Sequence, residues 1–462
     1  MPERLSPPVS VRDICRTLES AGHEAWCVGG AVRDALLGIQ TLDWDIATSA
    51  HPEQVQKLFR RTVPVGLKFG TVGVLDRDGV LHEVTTFRHD VETDGRHAVV
   101  RFGASLDEDL ARRDLTMNAI AVHAERLEVR DPFGGRADLE NGIVRCVGDP
   151  GERMREDRLR ALRALRFAGR FGFTIDAATW VAIRESAPHL GRLSMERVKQ
   201  ELEKVMEQVE RPAATLERYR EAGIFSALIP SLATAPAERF AAVDRLALPG
   251  PKGRPDQRAL RRAHRLALRL AALFVEPGIA TPRDLERTLK ALKYSNVEAR
   301  ETVALAQAAA LVSVSQSATA AGTAVSLPTV PDETTLRRLV ARVGRLHVRA
   351  LARLLWARAA AEQERGTGGA AIADADRSVA LGAGRARSRR AGIALYRRAV
   401  RIAWRDPLTI GDLALDGDDL RSAGVPPGRA IGDTLQKLLE QVLADPSRNE
   451  RETLLAAVRA LH

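Results

Sequence analysis

Cysteine is scarce in this chain of 462 residues, which contains only Cys15, Cys27 and Cys146. None of them belongs to a Cys-x-x-Cys pair, so the sequence predicts neither a disulfide framework nor a zinc site. Long apolar runs are also lacking, because no membrane-length apolar stretch occurs and the N-terminus has no apolar signal segment. These absences predict a soluble, cytoplasmic protein with no membrane partner.

Aromatic side chains are few, at 4% of the residues, so an extended aromatic platform for stacking bases is not expected. Basic residues are in excess, since 70 Lys and Arg residues accompany 60 Asp and Glu residues and the formal net charge is +10. Such an excess favours a polyanionic partner through counterion release. Together the two features favour recognition of folded RNA through its shape and phosphates.

The stretch WCVGGAVRDALLGIQTLDWDIAT, from Trp26 to Thr48, contains the first candidate site. It predicts an apolar strand, a Gly29-Gly30 turn, a short helix and a second strand that carries Asp43 and Asp45. Because side chains alternate along a strand, the two aspartates would project from the same face. Adjacent carboxylates repel unless a cation lies between them, and such oxygen ligands suit Mg²⁺. The turn and the helix N-terminus after it would favour a phosphate.

Each part of this pattern has a simpler explanation when it stands alone. An Asp-x-Asp sequence is most often a solvated turn or a helix cap, and a Gly-Gly pair is most often a turn. Within one strand–helix–strand unit, however, a phosphate-binding turn and a metal-binding carboxylate pair together predict nucleotidyl transfer.

The motifs VGGAVRDALLG and LDWDIAT resemble the signature of the class II tRNA nucleotidyltransferase and poly(A) polymerase family. The resemblance implies an α/β N-terminal nucleotidyltransferase head of the polymerase-beta-like type, followed by an all-α body. The predicted divisions are a catalytic head at 1–145, a helical neck with a base-selecting template at 146–225, a helical body at 226–400 and a tRNA-binding helical tail at 401–462.

The segment EVTTFR matches the strand that carries a third carboxylate in this family, here Glu83. Leu81, Glu83 and Thr85 share one face of a predicted strand, which could bring Glu83 beside the aspartate pair. From the residues alone, Glu83 could equally be a surface residue at the edge of a sheet. The resemblance implies that Asp43 and Asp45 are catalytic metal ligands and that Glu83 assists them.

The segment LDEDLARRDLTMNAIAVH resembles the family's RRDFTxNA motif. Two arginines, Arg112 and Arg113, could meet triphosphate oxygens, and Asp114 could accept a hydrogen bond from a ribose hydroxyl. A charged helix N-terminus with no ligand is the simpler alternative. The nucleotide-binding residues implied in the head are Gly29, Gly30, Arg33, Arg112, Arg113, Asp114 and Asn118.

The segment MREDRLRALRALRFAGRFGF predicts one helix and matches the family's Glu-Asp-x-x-Arg motif. Asp157 and Arg160 would share a helix face, where a carboxylate accepts from an exocyclic amino group and a guanidinium donates to a neighbouring ring acceptor. Cytosine and adenine offer that polarity, whereas guanine and uracil reverse it and would leave buried groups unpaired. The pair could select C and A, with Arg163 contacting the base or the triphosphate. An ordinary surface salt bridge is the commoner origin of this spacing.

Other segments predict connections rather than chemistry. Residues 89–103 are polar and contain glycine, so they predict a mobile loop, and the resemblance implies that this loop serves addition of the final A. The turn-rich sequence DPFGGRADLENGIVRCVGDP predicts a β-hairpin between the head and the helices. Residues 312–333 and 364–374 have the small or glycine-rich composition of linkers.

The sequence and the resemblance together predict an enzyme that adds CCA to the 3′ end of tRNA from CTP and ATP, without a template and with Mg²⁺. One metal would activate the RNA 3′-hydroxyl and another would neutralise the leaving pyrophosphate. A-only addition, CC-only addition and poly(A) polymerase activity on the same scaffold stay open. A catalytically silent RNA-binding protein also stays open, although the intact carboxylate and template pairs argue against it.

Overall fold

A computed structural model describes residues 5–41, 43–93, 98–246, 255–275, 282–313, 331–366 and 393–461. The chain divides into two compact units. The first comprises Met1–Glu210 with Ala214–Thr234, and the second comprises Arg211–Ala213 with Ala235–His462.

Eleven strands occur in the described part of the first unit, and seven of them form one mixed sheet in the order β3-β4-β5-β2-β1-β8-β9. Strands β2 and β5 are parallel, and the other neighbours in this sheet are antiparallel. The strands are β1 (Ala25–Val28), β2 (Asp45–Thr48), β3 (Thr62–Gly66), β4 (Thr71–Leu75), β5 (Leu81–Thr86), β6 (Arg88–Thr93), β7 (Ala98–Phe102), β8 (Ala121–Val122), β9 (Val129–Arg130), β10 (Ile143–Val144) and β11 (Thr174–Ile175).

The register of the sheet gathers the acidic residues at one place. Val28 pairs with Asp45, so the carboxylate lies next to the turn that follows β1. Ile46 pairs with Val84, and both side chains are fully buried. Because side chains alternate along each strand, Asp45 and Glu83 project from the opposite face of the sheet, at neighbouring positions.

Short helices cover the head. Helix α1 buries Val11, Ile14, Cys15 and Leu18, whose spacing of three and four residues gives it one apolar face. Helix α4 begins with a capping box in which Ser105 and Glu108 satisfy each other's backbone N–H groups. The head helices are α1 (Val9–Ser20), α2 (Gly30–Leu36), α3 (Pro52–Leu58), α4 (Leu106–Ala111) and α5 (Gly135–Asn141).

A second group of helices completes the first unit. A buried ion pair between Arg166 and Glu201, with 2.7 Å between Nε and Oε2, joins α7 to α9. The helices are α6 (Pro150–Glu156), α7 (Leu159–Phe171), α8 (Ala177–Ser186), α9 (Met195–Gln208), α10 (Pro212–Glu221), α11 (Ile224–Leu228) and α12 (Pro230–Ala233), with α10 beginning in the second unit.

The second unit is helical throughout its described residues. Its C-terminal helices share an apolar cluster that includes Leu420, Leu438, Val442 and Val458. The helices are α13 (Ala237–Arg245), α14 (Pro255–Phe274), α15 (Pro282–Ala291), α16 (Asn296–Ser313), α17 (Glu333–Val343), α18 (Val348–Gly366), α19 (393–405), α20 (Gly417–Ser422), α21 (Arg429–Ala444) and α22 (Arg451–Leu461). In this part of the chain and in the described head, no helix is both long and apolar enough to span a bilayer.

The predicted fold class, an α/β head followed by a helical body, is confirmed. The predicted β-hairpin between them is wrong, because its Gly134-Gly135 turn starts helix α5 and β10 pairs in parallel with β11. The four-part division stays a prediction. Of the predicted loop and linkers, residues 94–97, 314–330 and 367–374 lie outside the described residues.

Candidate active site

Gly29 forms the turn between β1 and α2 with φ 75° and ψ −132°, a conformation that side chains other than glycine rarely adopt. A Cβ atom at this position would lie 3.0 Å from Arg113 Nη1 and 3.6 Å from Asp45 Oδ2. The absence of a side chain therefore lets a guanidinium and a carboxylate approach the same turn. This arrangement places Arg113 and Asp45, two predicted site residues, at the predicted Gly29-Gly30 turn.

Asp45 has an unusual electrostatic environment. Burial raises the pKa of Asp45 to about 6, and the charges of Asp43 and Glu83 act in the same direction, whereas Arg113 opposes them. A carboxylate made unfavourable by two like charges gains most from a divalent cation, so the donor set fits a metal of the magnesium type. The charge of Glu83 also raises the pKa of Asp45. In the described part of the chain, however, no three His, Cys, Asp or Glu side chains lie close enough together to hold a metal.

The two aspartates do not lie on one strand as predicted. Strand β2 begins at Asp45, so Asp43 lies in the segment before it and is exposed. The predicted alternation still holds, because Trp44 between them is buried at 3% exposure. Trp44 is thus buried between an exposed Asp43 and a half-buried Asp45.

Asp109 orients the arginines of the RRD motif. Its Oδ1 accepts from Nε and Nη2 of Arg112 at 3.0 and 2.8 Å, and its Oδ2 accepts from Nη2 of Arg113 at 3.2 Å. Burial would raise the pKa of Asp109, but the charges of Arg112 and Arg113 outweigh it and hold the pKa below its usual range. Sequence reasoning missed Asp109, although its spacing of three and four residues before the two arginines is a helical signal.

Asp114 is buried and highly paired. Its Oδ1 accepts from the Leu115 backbone N–H at 2.9 Å and from Asn118 Nδ2 at 3.0 Å, and its Oδ2 accepts from Arg163 Nε at 2.6 Å. Burial acts to raise the pKa of Asp114, but Arg163, Asn118 and Arg160 lower it to about 2. The carboxylate is therefore ionised, and three of its roughly four lone-pair positions are occupied, which leaves about one for a ribose hydroxyl.

Arg33 is an internal residue at 4% exposure, and this position disagrees with the predicted phosphate contact. Its guanidinium donates to Asp34 Oδ1 at 2.8 Å and to Asn118 Oδ1 at 2.7 Å. It also lies over the rings of Phe167 and Phe171, at 4.8 and 5.1 Å from their centroids. Cation–π contacts and buried hydrogen bonds hold Arg33 of α2 against α7, so Arg33 can position Asn118 rather than bind the nucleotide itself.

Asp157 and Arg160 are not on one helix, which corrects the sequence-based prediction. Helix α6 ends at Glu156, and Asp157 has φ −148° and ψ 104° before α7 starts. Asp157 Oδ1 accepts from the Leu159 backbone N–H at 3.0 Å, and its Oδ2 accepts from Arg197 at 2.6 Å. The helix breaks because Asp157 leaves the helical conformation, and its side chain accepts from the backbone N–H of Leu159, the first residue of α7.

Arg160 also has partners other than Asp157. Its guanidinium donates to Glu156 Oε2 at 2.7 Å and to the backbone carbonyl of Arg112 at 3.0 Å. Arg197, Glu156 and the Arg112 carbonyl therefore hold the two predicted base-reading side chains. The second of these, Glu156, is the glutamate of the Glu-Asp-x-x-Arg motif, a signal from which sequence reasoning drew no role.

The protein has the features of a nucleotidyltransferase head. Its mixed sheet carries acidic side chains beside a glycine turn, and helices with paired polar groups follow the sheet. Family models agree with this class. Residues 25–145 match the poly A polymerase head domain, and residues 172–235 match the probable RNA and SrmB-binding site of polymerase A.

Similar proteins make the assignment more specific. The chain is 49% identical over 196 residues to a CCA-adding enzyme of Geobacillus sp. strain WCH70, which covers 42% of this chain and 48% of that protein. The crystal structure of Bacillus stearothermophilus CCA-adding enzyme in complex with CTP superposes with a TM-score of 0.68 at 30% identity, covering 98% of this chain and 96% of that one. The chain therefore belongs to the class II tRNA nucleotidyltransferase and poly(A) polymerase family.

The extent of the likeness differs between comparisons. The chain spans about half the length of the curated relatives it matches. The fold extends further, because Thermotoga maritima CCA-adding enzyme complexed with tRNA has a TM-score of 0.56 at 20% identity and 98% coverage of this chain. The family typically uses divalent metals, in agreement with the carboxylate of Asp45 and the nearby charges of Asp43 and Glu83.

Proposed function

We propose that this protein adds CCA to the 3′ end of tRNA, one nucleotide at a time, from CTP and ATP and without a nucleic acid template. The observation that supports nucleotidyl transfer most directly is Asp45, with a pKa raised to about 6, beside Gly29 and Arg113. It joins a site that favours a cation to a turn and a guanidinium that favour a phosphate. Relatives named as CCA-adding enzymes supply the substrate class.

The proposed metal is Mg²⁺, held by Asp43 and Asp45, with Glu83 adding negative charge nearby. When bound, the metal supplies positive charge for deprotonation of the RNA 3′-hydroxyl and for stabilisation of the pyrophosphate leaving group. Arg113 contacts the triphosphate from the side of Gly29, while Arg112 reaches it from its anchor on Asp109. Arg33 supports them indirectly. It donates a hydrogen bond to Asn118, and Asn118 donates one to Asp114.

Asp157 and Arg160 are proposed to read the base after each gives up some of its present hydrogen bonds. Asp157 accepts from the amino group of cytosine or adenine, and Arg160 donates to the neighbouring ring nitrogen. Guanine or uracil would place a carbonyl against the Asp157 carboxylate and an N–H against the Arg160 guanidinium. Each of these groups would then lose its water without gaining a hydrogen bond. Asp114 accepts from the ribose hydroxyl, with Arg163 fixing its position.

The test supplies purified protein and Mg²⁺ with three tRNAs that end at the discriminator base, at C or at CC. Each receives CTP, ATP, GTP or UTP alone, and then CTP with ATP, and products are sized on a gel. The expected result is two C residues, one A and then a stop. Asp45→Asn should abolish extension, whereas Asp78→Asn, an exposed aspartate in the β4–β5 turn, should not.

Other outcomes would replace the proposal with a named alternative. Extension of only the CC-ended tRNA would indicate A-only addition, and a stop after two C residues would indicate CC-only addition. Unlimited A addition would indicate a poly(A) polymerase. No extension of any substrate, combined with tight tRNA binding, would indicate an RNA-binding protein without catalysis.

A further inference from the structure

Helix α7 contains two phenylalanine rings that lie parallel to each other. The ring centroids of Phe167 and Phe171 are 6.0 Å apart, and the ring planes differ by 4°. Phe167 is buried, and leucine and alanine fill the other buried apolar positions of α7. Aliphatic side chains are therefore enough to pack this helix, in a chain with only 4% aromatic residues. A ring at position 167 points to a second role in addition to packing.

Three arginine side chains lie over the ring of Phe167. The distances from Cζ to the ring centroid are 4.1 Å for Arg166, 4.8 Å for Arg33 and 5.6 Å for Arg163. Each distance is within the range of about 6 Å over which the face of an aromatic ring attracts a cation. Arg33 and Arg166 are also buried, so water weakens this attraction little. One ring thus attracts cations from two helices, α2 and α7.

These cations lie close enough to affect one another. Burial lowers the pKa of Arg33, and the charges of Arg170 and Arg166 lower it further. The face of the Phe167 ring adds an attraction that the three cations share, so it helps to set where each guanidinium lies. Each of the three also has one carboxylate partner: Arg33 pairs with Asp34, Arg163 with Asp114 and Arg166 with Glu201.

Both side chains that donate to Asp114 are connected to this ring. Arg163 donates from Nε to Oδ2 at 2.6 Å, and it lies over the ring itself. Asn118 donates from Nδ2 to Oδ1 at 3.0 Å, and its own Oδ1 accepts from Arg33 Nη1 at 2.7 Å. Because Arg33 lies over the same ring, two routes lead from Phe167 to the two oxygens of Asp114.

These contacts fix the orientation of the Asp114 carboxylate. A third hydrogen bond comes from the backbone N–H of Leu115 at 2.9 Å, so about one of the roughly four lone-pair positions is left for a ligand. The direction of that lone pair depends on the two side-chain donors. Since a hydrogen bond weakens steeply as its angle departs from linear, a small rotation of the carboxylate would weaken a bond to a ribose hydroxyl.

We propose that Phe167 is a positioning residue for ribose selection. Its ring holds Arg163 and Arg33 so that the free lone pair of Asp114 points at a ribose hydroxyl of the bound nucleotide. Phe167 acts through these side chains and does not touch the nucleotide. This role rests on the proposed function, in which Asp114 binds the ribose.

A ring that only packed would behave differently. A shorter apolar side chain at position 167 would then lower the free energy of unfolding and weaken the binding of every nucleotide alike. A positioning role changes the preference for a ribonucleotide, because a deoxyribonucleotide lacks a hydroxyl that Asp114 is proposed to bind. The ratio of the affinities for CTP and dCTP therefore separates the two roles.

The test measures the affinities of the full-length protein for CTP and dCTP by equilibrium dialysis, with Mg²⁺ and without tRNA. Wild type should bind CTP roughly tenfold to a hundredfold more tightly than dCTP, as expected for a hydrogen bond to a charged group. Phe167→Leu should weaken CTP binding about tenfold, while the affinity for dCTP changes by less than about twofold. Phe167→Tyr keeps the aromatic face, so it should keep the wild-type ratio.

A second variant and a matched control separate the ring from the volume that it fills. Phe167→Met fills much of the same space without an aromatic face, so it limits the cavity and should lose the CTP preference as Phe167→Leu does. Phe225→Leu removes the same atoms from another ring of the first unit, which is 1% exposed and packs against Tyr219. Urea unfolding should show a lower stability for this control. Its ratio of CTP to dCTP affinity should stay at the wild-type value.

A double variant tests whether the ring acts through Asp114. Asp114→Asn should weaken CTP binding by itself, because the ribose hydroxyl loses a charged acceptor. Adding Phe167→Leu to Asp114→Asn should weaken CTP binding no further, so the two effects should not be additive. Additive effects would show that the ring acts on CTP by another route and would overturn the proposal.

Other results would overturn it as well. Equal losses of CTP and dCTP affinity in Phe167→Leu would leave the ring with a packing role alone. A ratio in Phe167→Tyr as low as in Phe167→Leu would show that the aromatic face is not what matters. The same change of ratio in Phe225→Leu would assign the effect to lost stability. Equal binding of CTP and dCTP by wild type would leave no ribose preference for the ring to set.

Nucleotide binding without tRNA is independent of CCA addition. If the protein extends no tRNA but Phe167→Leu loses the preference for CTP over dCTP, the proposed function fails and the positioning role stands. If the protein adds CCA while Phe167→Leu keeps the wild-type ratio, the proposed function stands and the positioning role is overturned.

Discussion

Asp114 and Arg163, 49 residues apart in the chain, form an ion pair of 2.6 Å that links the RRD motif to helix α7. Asn118 extends the connection, because it donates to Asp114 and accepts from Arg33. Asp114, the residue proposed for the ribose, is thus held by one network with Arg163, Asn118 and Arg33.

Asp114→Asn should destabilise the protein by roughly 2–3 kcal/mol at pH 7, because Arg163 loses its charged partner and a pKa lowered from about 3.9 to about 2 corresponds to about 1.4 kcal/mol per unit. The pKa of Asp114 is lowered to about 2, so its contribution to stability is present above the unfolded pKa of about 3.9. That contribution is lost as the pH falls from about 4 to about 2. Urea unfolding of both proteins checks this, and a stability difference that did not shrink below about pH 4 would contradict it.

Asp45→Asn should stabilise the metal-free protein at neutral and alkaline pH while abolishing catalysis. The pKa of Asp45 is raised to about 6 in the folded protein. Stability from its protonated form is present below about pH 4 and lost as the pH rises through about 6. In chelator at pH 8 the variant should be more stable by about 1–3 kcal/mol. Equal stability of the two proteins at pH 8 would show that Asp45 is not electrostatically strained.

Divalent metal binding should weaken as the pH falls below about 6, because a proton competes for Asp45. The affinity for Mn²⁺, used as a probe, should fall about tenfold for each pH unit below that value. Isothermal titration calorimetry checks this without relying on activity. Asp45→Asn should bind Mn²⁺ weakly and show no such pH dependence, and a retained dependence would assign it to another group.

Gly29→Ala should lower kcat by at least tenfold. The new Cβ would lie 3.0 Å from Arg113 Nη1, and the backbone at φ 75° would also be strained, at a cost of about 1–3 kcal/mol. Gly22→Ala is the matched control, since Gly22 has φ 86° with nothing within 4 Å of the added Cβ. The control should lose stability but keep kcat. Equal effects on kcat in the two variants would show that backbone strain alone explains the loss.

Arg197→Met should reduce discrimination between CTP and UTP, because Arg197 holds Asp157 at 2.6 Å. We expect kcat/KM for CTP to fall about tenfold, with a change in stability below about 1 kcal/mol for a partly exposed pair. Single-nucleotide incorporation on a tRNA that lacks CCA measures the ratio. Arg220→Met, which breaks a partly exposed arginine–glutamate pair elsewhere, is the control. An unchanged CTP/UTP ratio in Arg197→Met would remove Asp157 from base selection.

Local chemistry in the sequence was enough to place the catalytic turn and its neighbours. The Gly29-Gly30 turn is in the structure, where Gly29 has positive φ and α2 follows it. Alternation along the chain was enough to assign the strand that contains Leu81, Glu83 and Thr85, which is β5. These features depend on residues close in the chain, so a linear pattern contains the information.

Tertiary structure decided which partner each charged side chain has. The sequence MREDRLRALRALRF shows continuous helix-forming residues, yet the helix breaks at Asp157, whose carboxylate accepts from the first backbone N–H of α7 and from Arg197 of α9. Arg33 matched a phosphate-binding motif, but Phe167 and Phe171, more than 130 residues away, enclose it.

The sequence by itself therefore determined the family, the α/β head and the helical body, and the set of charged residues from which the site is built. Only the tertiary structure decided that Arg33 is buried and that Asp114 pairs with Arg163. The physical reason is that charges and rings choose their partners by burial and distance, and both are set by packing between segments far apart in the chain.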